Sequence, residues 1–100
     1  MKYSVGIKKE QDKYSEENVR RVLKKVKFLV SKNREDLAKL KCEKYSESPA
    51  IQSIFVKILL SEKCEESTKK AKEICKKFED DKILQSQLIT ILMNEAQKES

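Results

Sequence analysis

A chain of 100 residues, 40 % charged and 38 % hydrophobic with one Gly and one Pro, has the length of one domain and enough apolar residues for a core. So few backbone breakers exclude hairpin-rich folds and glycine loops, and the chain is expected to be helical almost throughout. The net charge of +6 is sorted along the sequence: residues 1–34 hold 11 Lys/Arg against 4 Asp/Glu, while residues 35–100 hold 12 against 13.

Residues 1–14 read as an extended basic arm, in which Tyr3, Val5 and Ile7 alternate with Ser4 and Gly6. Ser15 is a natural N-cap, with Glu16 and Glu17 in the first turn where the helix dipole favours negative charge. The first helix is expected from there to about Lys32. Its apolar stripe is Val19, Val22, Leu23, Val26, Leu29 and Val30. Asn33 ends this helix or caps the next, which spans roughly 34–45 with a thin apolar edge of Leu37, Leu40 and Tyr45.

Ser48-Pro49 marks a stronger start, an N-cap followed by proline at the first helical position. The third helix follows to about Ser61, apolar nearly all round, with Ser53, Lys57 and Ser61 as its narrow polar strip. Such a helix belongs at the centre of a bundle. A fourth helix, about 63–79, carries the stripe Cys64, Ala71, Ile74, Cys75 and Phe78. Its outer face offers the pairs Glu65–Lys69, Glu66–Lys70 and Glu73–Lys77 at i,i+4. Asp80 and Asp81 break or cap, and the fifth helix runs from about Lys82 to Gln97. No internal repeat or low-complexity tract stands out. The fold class expected is all-α: a compact bundle of four to five helices after the basic N-terminal arm, with residues 15–100 as a single domain.

Function is carried by the first helix. Arg20, Arg21, Lys24, Lys25, Lys27, Lys32 and Arg34 occur with no acidic residue between them. At about 100° per residue the helical members fall opposite the valine stripe or flank it, and Phe28 falls among them. An aromatic ring among cations is a place for an unpaired base to stack while the cations hold phosphates. These eight residues are the candidate nucleic-acid-binding set. Three arginines are too few for extensive base reading, so phosphate contacts without sequence specificity are expected, with DNA and RNA both open. The same face could instead dock an acidic protein partner or simply be solvated, and Phe28 could lie under the N-terminal arm. An anionic membrane surface fits less well, because the apolar side of this helix is mostly valine and serves better as core.

The fifth helix has no charge between Lys82 and Glu95. Its uncharged Gln87, Thr90 and Asn94, beside Ile89 and Met93, suit a contact with a larger protein complex or a second copy. The alternative is full burial within the monomer. A helix-turn-helix reader is disfavoured, since this helix offers no Arg or Lys before Lys98.

Enzymatic activity is not expected. There is no histidine for proton transfer near neutral pH, and the single glycine excludes the usual phosphate loops. Without histidine or a C-x-x-C pair no metal or other cofactor is expected, nor a small-molecule substrate. Cys42, Cys64 and Cys75 read as reduced core hydrophobes. With no secretion-signal stretch and no apolar run of about 18–20 residues, a cytoplasmic protein is expected.

Overall fold

The computed structural model describes residues 13–99, with the side chains of residues 98 and 99 outside that description. Apart from Lys13 and Tyr14, the expected arm lies outside the described residues. The protein is all-α. Five helices follow one another: α1 (Glu16–Ser31), α2 (Glu35–Glu43), α3 (Pro49–Ser61), α4 (Glu65–Lys77) and α5 (Lys82–Glu99). The contacts of the described residues group into two units, divided between Ile51 and Gln52.

In the first unit α1 packs on α2. Ser15 caps α1 by accepting the Asn18 N–H at 3.2 Å. Val22 and Val26 are buried along the valine stripe, with Val19, Leu23, Leu29 and Val30 half-buried beside them. On α2 the packed edge is Ala38 and Cys42, both fully buried, whereas Leu37 and Leu40 are exposed. This corrects the expected edge. The small side chains at i and i+4 let α2 approach α1 closely, and the leucines are turned out. Tyr14 closes the unit from its start: its hydroxyl accepts the Glu47 N–H at 3.4 Å, and its ring meets Tyr45 edge-on at 6.1 Å. The Lys13 ammonium lies over both rings, 5.4 and 5.2 Å from their centroids.

Ser48 caps α3, accepting the Ile51 N–H at 3.4 Å. Most of α3 belongs to the second unit, where Phe55, Val56, Ile58 and Leu59 are buried. Ser53, expected on the polar strip, is buried too, and its backbone carbonyl accepts the Gln87 Nε2–H from α5 at 3.0 Å. The Lys70 ammonium of α4 lies over the Phe55 ring, 5.1 Å from its centroid. Asp81 caps α5, its Oδ1 accepting the Leu84 N–H at 2.9 Å. Lys72 of α4 makes a half-buried ion pair with Glu95 of α5 at 3.0 Å. Of the expected i,i+4 ladder on α4, Glu65 and Lys69 form no ion pair with each other among the described residues.

Two corners have the same construction, which corrects the reading that the chain lacks an internal repeat. Residues 26–36 and 56–66 align at a spacing of thirty, with identity at Val26/Val56, Lys27/Lys57, Leu29/Leu59, Ser31/Ser61 and Glu35/Glu65. Each terminal serine turns back onto its own helix. Ser31 Oγ donates to the Phe28 carbonyl at 2.7 Å and Ser61 Oγ to the Ile58 carbonyl at 2.6 Å. Asn33 and Lys63, at φ 60° and 52°, then take the left-handed conformation that reverses the chain. Their N–H groups donate to the carbonyls of Val30 and Leu60, at 3.0 and 3.3 Å. The following helices open alike, with Ala38 N–H donating to the Arg34 carbonyl at 3.1 Å and Thr68 N–H to the Cys64 carbonyl at 2.9 Å. Asn33 therefore ends α1; it does not cap α2.

Cys64 is at this second corner. It is the exposed N-cap residue of α4 and not a core position, because the reversal at Lys63 moves it off the apolar stripe. Cys42 and Cys75 are buried as expected, and burial pushes the Cys42 thiol up to about 12 and raises that of Cys75.

Candidate nucleic-acid interface

Helix α1 displays its cations because its sequence spends every third or fourth position on valine or leucine. One stripe is thereby committed to α2, and the remaining arc goes to water. Arg20, Arg21, Lys24, Lys25, Lys27, Phe28 and Lys32 are all exposed, and Arg34 is exposed just beyond the corner as the N-cap residue of α2. At about 100° per residue the helical members occupy a single arc, with Phe28 near its middle. The candidate set is thus gathered on one side of one element, with Arg34 adjoining its end.

The cations are not equivalent. Arg20 pairs with Glu16 at 4.0 Å and Arg21 with Glu17 at 3.3 Å, one turn earlier. The two glutamates that serve the helix dipole thus also reach the arginines four residues on. Both pairs are largely exposed, so each holds its partner weakly. Lys24, Lys25, Lys27, Lys32 and Arg34 form no ion pair with any described carboxylate.

Phe28 is 54 % exposed, with the Lys25 and Lys32 ammonium groups 6.0 and 5.6 Å from its ring centroid. Such cation–π contacts contribute about 0.5–1 kcal/mol each at exposed sites. A phosphate competes well for the same ammonium groups, and the ring face they leave is then open to a base. The arrangement pairs a stacking surface with cations on two sides of it.

The α5 residues fall into two groups. Ile89 and Met93 are 58 and 59 % exposed, and Thr90 and Asn94 are exposed as well, so α5 is not fully buried within the chain. Gln87 departs from the expectation. It is half-buried, donates to the Ser53 carbonyl, and its Oε1 is buried with no hydrogen-bond partner among the described residues. Its position lies between Ile83 and the buried Leu84–Ile91 line, which turns it toward α3. It borders a shallow hollow of about 370 Å³ formed with Lys57, Lys82, Ile83, Ser86 and Thr90.

Sequence reasoning missed Ile83 and Leu92, which are 61 and 48 % exposed on the same helix. Among the described residues no group of three metal-ligating His, Cys, Asp or Glu side chains gathers, and no helix is long and apolar enough to cross a membrane. Fold and surface together define an all-α protein with a basic helix face on which Arg20 and Arg21 are paired and the lysines form no ion pair with any described carboxylate. The chain matches no family model, and no curated protein or solved structure is similar to it.

Proposed function

We propose that this protein is a small non-enzymatic accessory subunit that grips the phosphate backbone of a nucleic acid, DNA or RNA, through the basic face of α1. Binding is without sequence specificity, and α5 attaches the subunit to a larger assembly or to a second copy. The observation that carries the reading is the group Lys24, Lys25, Lys27, Lys32 and Arg34, unpaired with any described carboxylate and set around the exposed Phe28. Uncompensated charge of one sign on one face raises the local concentration of a polyanion and gains free energy by releasing its counterions. The remaining two-thirds of the chain, near neutral in total, has no comparable attraction. Buried, proton-holding thiols at Cys42 and Cys75 fit a cytoplasmic setting.

Titration of labelled single-stranded and duplex oligonucleotides tests the proposal. The double reversal Lys24→Glu with Lys25→Glu should abolish binding and leave the far-UV circular dichroism unchanged, because both side chains are exposed. Phe28→Ala should cost about 1–3 kcal/mol on single strands and less on duplex, where bases are already stacked. Wild-type affinity in the double reversal would refute α1 as the contact surface. An equal loss for Phe28→Ala on both strand types would refute stacking. Binding to an acidic polypeptide but to neither oligonucleotide would make the basic face a protein-docking surface.

A further inference from the structure

The repeat extends beyond its corners. Residues 38–62 align without a gap on residues 71–95, at a spacing of thirty-three. Identity falls at Ala38/Ala71, Lys39/Lys72, Cys42/Cys75, Gln52/Gln85, Ser53/Ser86 and Leu59/Leu92. The structure repeats with the sequence. Ala38, Cys42, Ala71 and Cys75 are all fully buried. Ser48 and Asp81 stand at equivalent positions and cap their helices through the equivalent N–H groups of Ile51 and Leu84. Together with the spacing of thirty at the first corner, this puts α1, α3 and α5 in one register.

In that register one stripe of α1 corresponds to one stripe of α5. Arg21, Lys25, Phe28 and Lys32 match Leu84, Leu88, Ile91 and Glu95. On α5 the stripe has an occupant, the helix α4. Leu84 and Ile91 are buried, and Glu95 pairs at 3.0 Å with Lys72, which α4 carries beside its buried Ala71 and Cys75.

On α1 the same stripe is open. All four side chains are exposed, and the Lys25 and Lys32 ammonium groups lie 6.0 and 5.6 Å from the Phe28 ring centroid. The centre is still apolar, with Phe28 where α5 has Ile91. The charge is inverted, with Lys32 where α5 has Glu95.

We infer that this stripe docks an acidic helix from a protein partner, which lies on α1 as α4 lies on α5 and competes there with nucleic acid. Two features define the partner. Small side chains one turn apart let its backbone approach Phe28, as Ala71 and Cys75 let α4 pack closely. A carboxylate stands where α4 has Lys72, and meets Lys32. Further carboxylates on the same side face Lys25 and Arg21, the latter held only weakly by exposed Glu17. Charge selects such a helix over one of the α4 kind, whose lysine would confront Lys32 with like charge.

Competition follows from the shared side chains. Lys25, Phe28 and Lys32 cannot hold phosphates and a base while a helix covers them. Helix α1 thereby becomes the point at which a partner releases the nucleic acid. The inference rests on the nucleic-acid reading for what is displaced, and not for the docking itself.

Displacement of a labelled oligonucleotide from the full chain tests this, and anisotropy of a labelled peptide reads docking directly. The probe is residues 65–79 of this chain with Lys72→Glu, Lys76→Glu and Cys75→Ala. A staple through the exposed positions of Lys69 and Glu73 keeps it helical, because so short a helix is marginal in water. It should displace the oligonucleotide at about one-tenth the concentration needed by the same stapled peptide with Lys72 and Lys76 retained. Lys32→Glu gives α1 the charge of α5 and should reverse that preference with unchanged far-UV circular dichroism. An unchanged preference in Lys32→Glu overturns the inference. Equal displacement by the unstapled acidic peptide with Ala71→Pro, which keeps the charge and breaks the helix, overturns it as well. So does a protein that carries peptide and oligonucleotide together. A chain that docks the peptide but binds no oligonucleotide refutes only the nucleic-acid role. One that binds the oligonucleotide but not the peptide refutes only the helix-docking inference.

Discussion

The division of the basic face into paired and unpaired cations makes a quantitative prediction about salt. Each duplex phosphate neutralised adds about −0.9 to the slope of log affinity against log salt. Lys24, Lys25, Lys27, Lys32 and Arg34 enter with no described carboxylate to displace, so the wild-type slope should lie near −4.5 if each takes one phosphate. Between 50 and 200 mM salt that is a loss of about 500-fold. Lys24→Ala with Lys25→Ala should bring the slope to about −2.7 and the loss to about 40-fold. Arg20→Ala with Arg21→Ala should change it far less, since those guanidinium groups already pair with Glu16 and Glu17. Glu16→Gln with Glu17→Gln removes two weak pairs and should steepen the slope, with about −6.3 as the limit if each arginine then takes one phosphate in full. Fluorescence anisotropy on a labelled duplex at four salt concentrations measures all four proteins. The reasoning is refuted if the arginine and lysine pairs reduce the slope equally, or if neutralising the two glutamates leaves it unchanged.

Caps, stripes and charge were legible in the sequence because each depends on residues close together in the chain. Ser15, Ser48 and Asp81 start helices as their side chains dictate, and the valine stripe of α1 fixes which side its lysines occupy. What escaped depends on neighbours. On α2 hydrophobicity favoured Leu37 and Leu40, but the geometry of close helix packing favoured the smaller Ala38 and Cys42. The position of Glu16 and Glu17 in the first turn announces dipole partners, whereas their reach to the arginines four residues on depends on side-chain geometry. The repeat was hidden for a chemical reason. Its backbone marks, a serine and a left-handed residue at each corner, recur at positions 31 and 61 and at 33 and 63, but the faces between them change from basic in α1 to apolar in α3. Composition follows what each face meets, and the corner follows the backbone. The corners after α1 and α3 therefore share one construction although the helices before them differ in chemistry.

Two further predictions concern stability. A lysine held at φ 52° is under strain that glycine does not feel, so Lys63→Gly should stabilise the protein by about 0.5–1 kcal/mol, raising the melting temperature by about 2–8 °C. Asn33→Gly should gain less than half as much, because asparagine tolerates this conformation, and equal gains in thermal melts would refute the assignment of strain to Lys63. The second concerns Cys42, whose thiol keeps its proton to about 12 in the fold, whereas the unfolded chain releases it near 9.0. Above pH 9 the unfolded state therefore binds fewer protons than the native one, and stability falls as pH rises. Between pH 8 and 10 this thiol alone should account for a loss of about 1.4 kcal/mol, while below pH 8 its contribution is fully present and constant. Cys42→Ala should lose correspondingly less over that interval in urea titrations, whatever its absolute stability. Parallel losses in variant and wild type would show that the native thiol ionises as readily as the unfolded one, which a fully buried sulfur between α1 and α2 should not do.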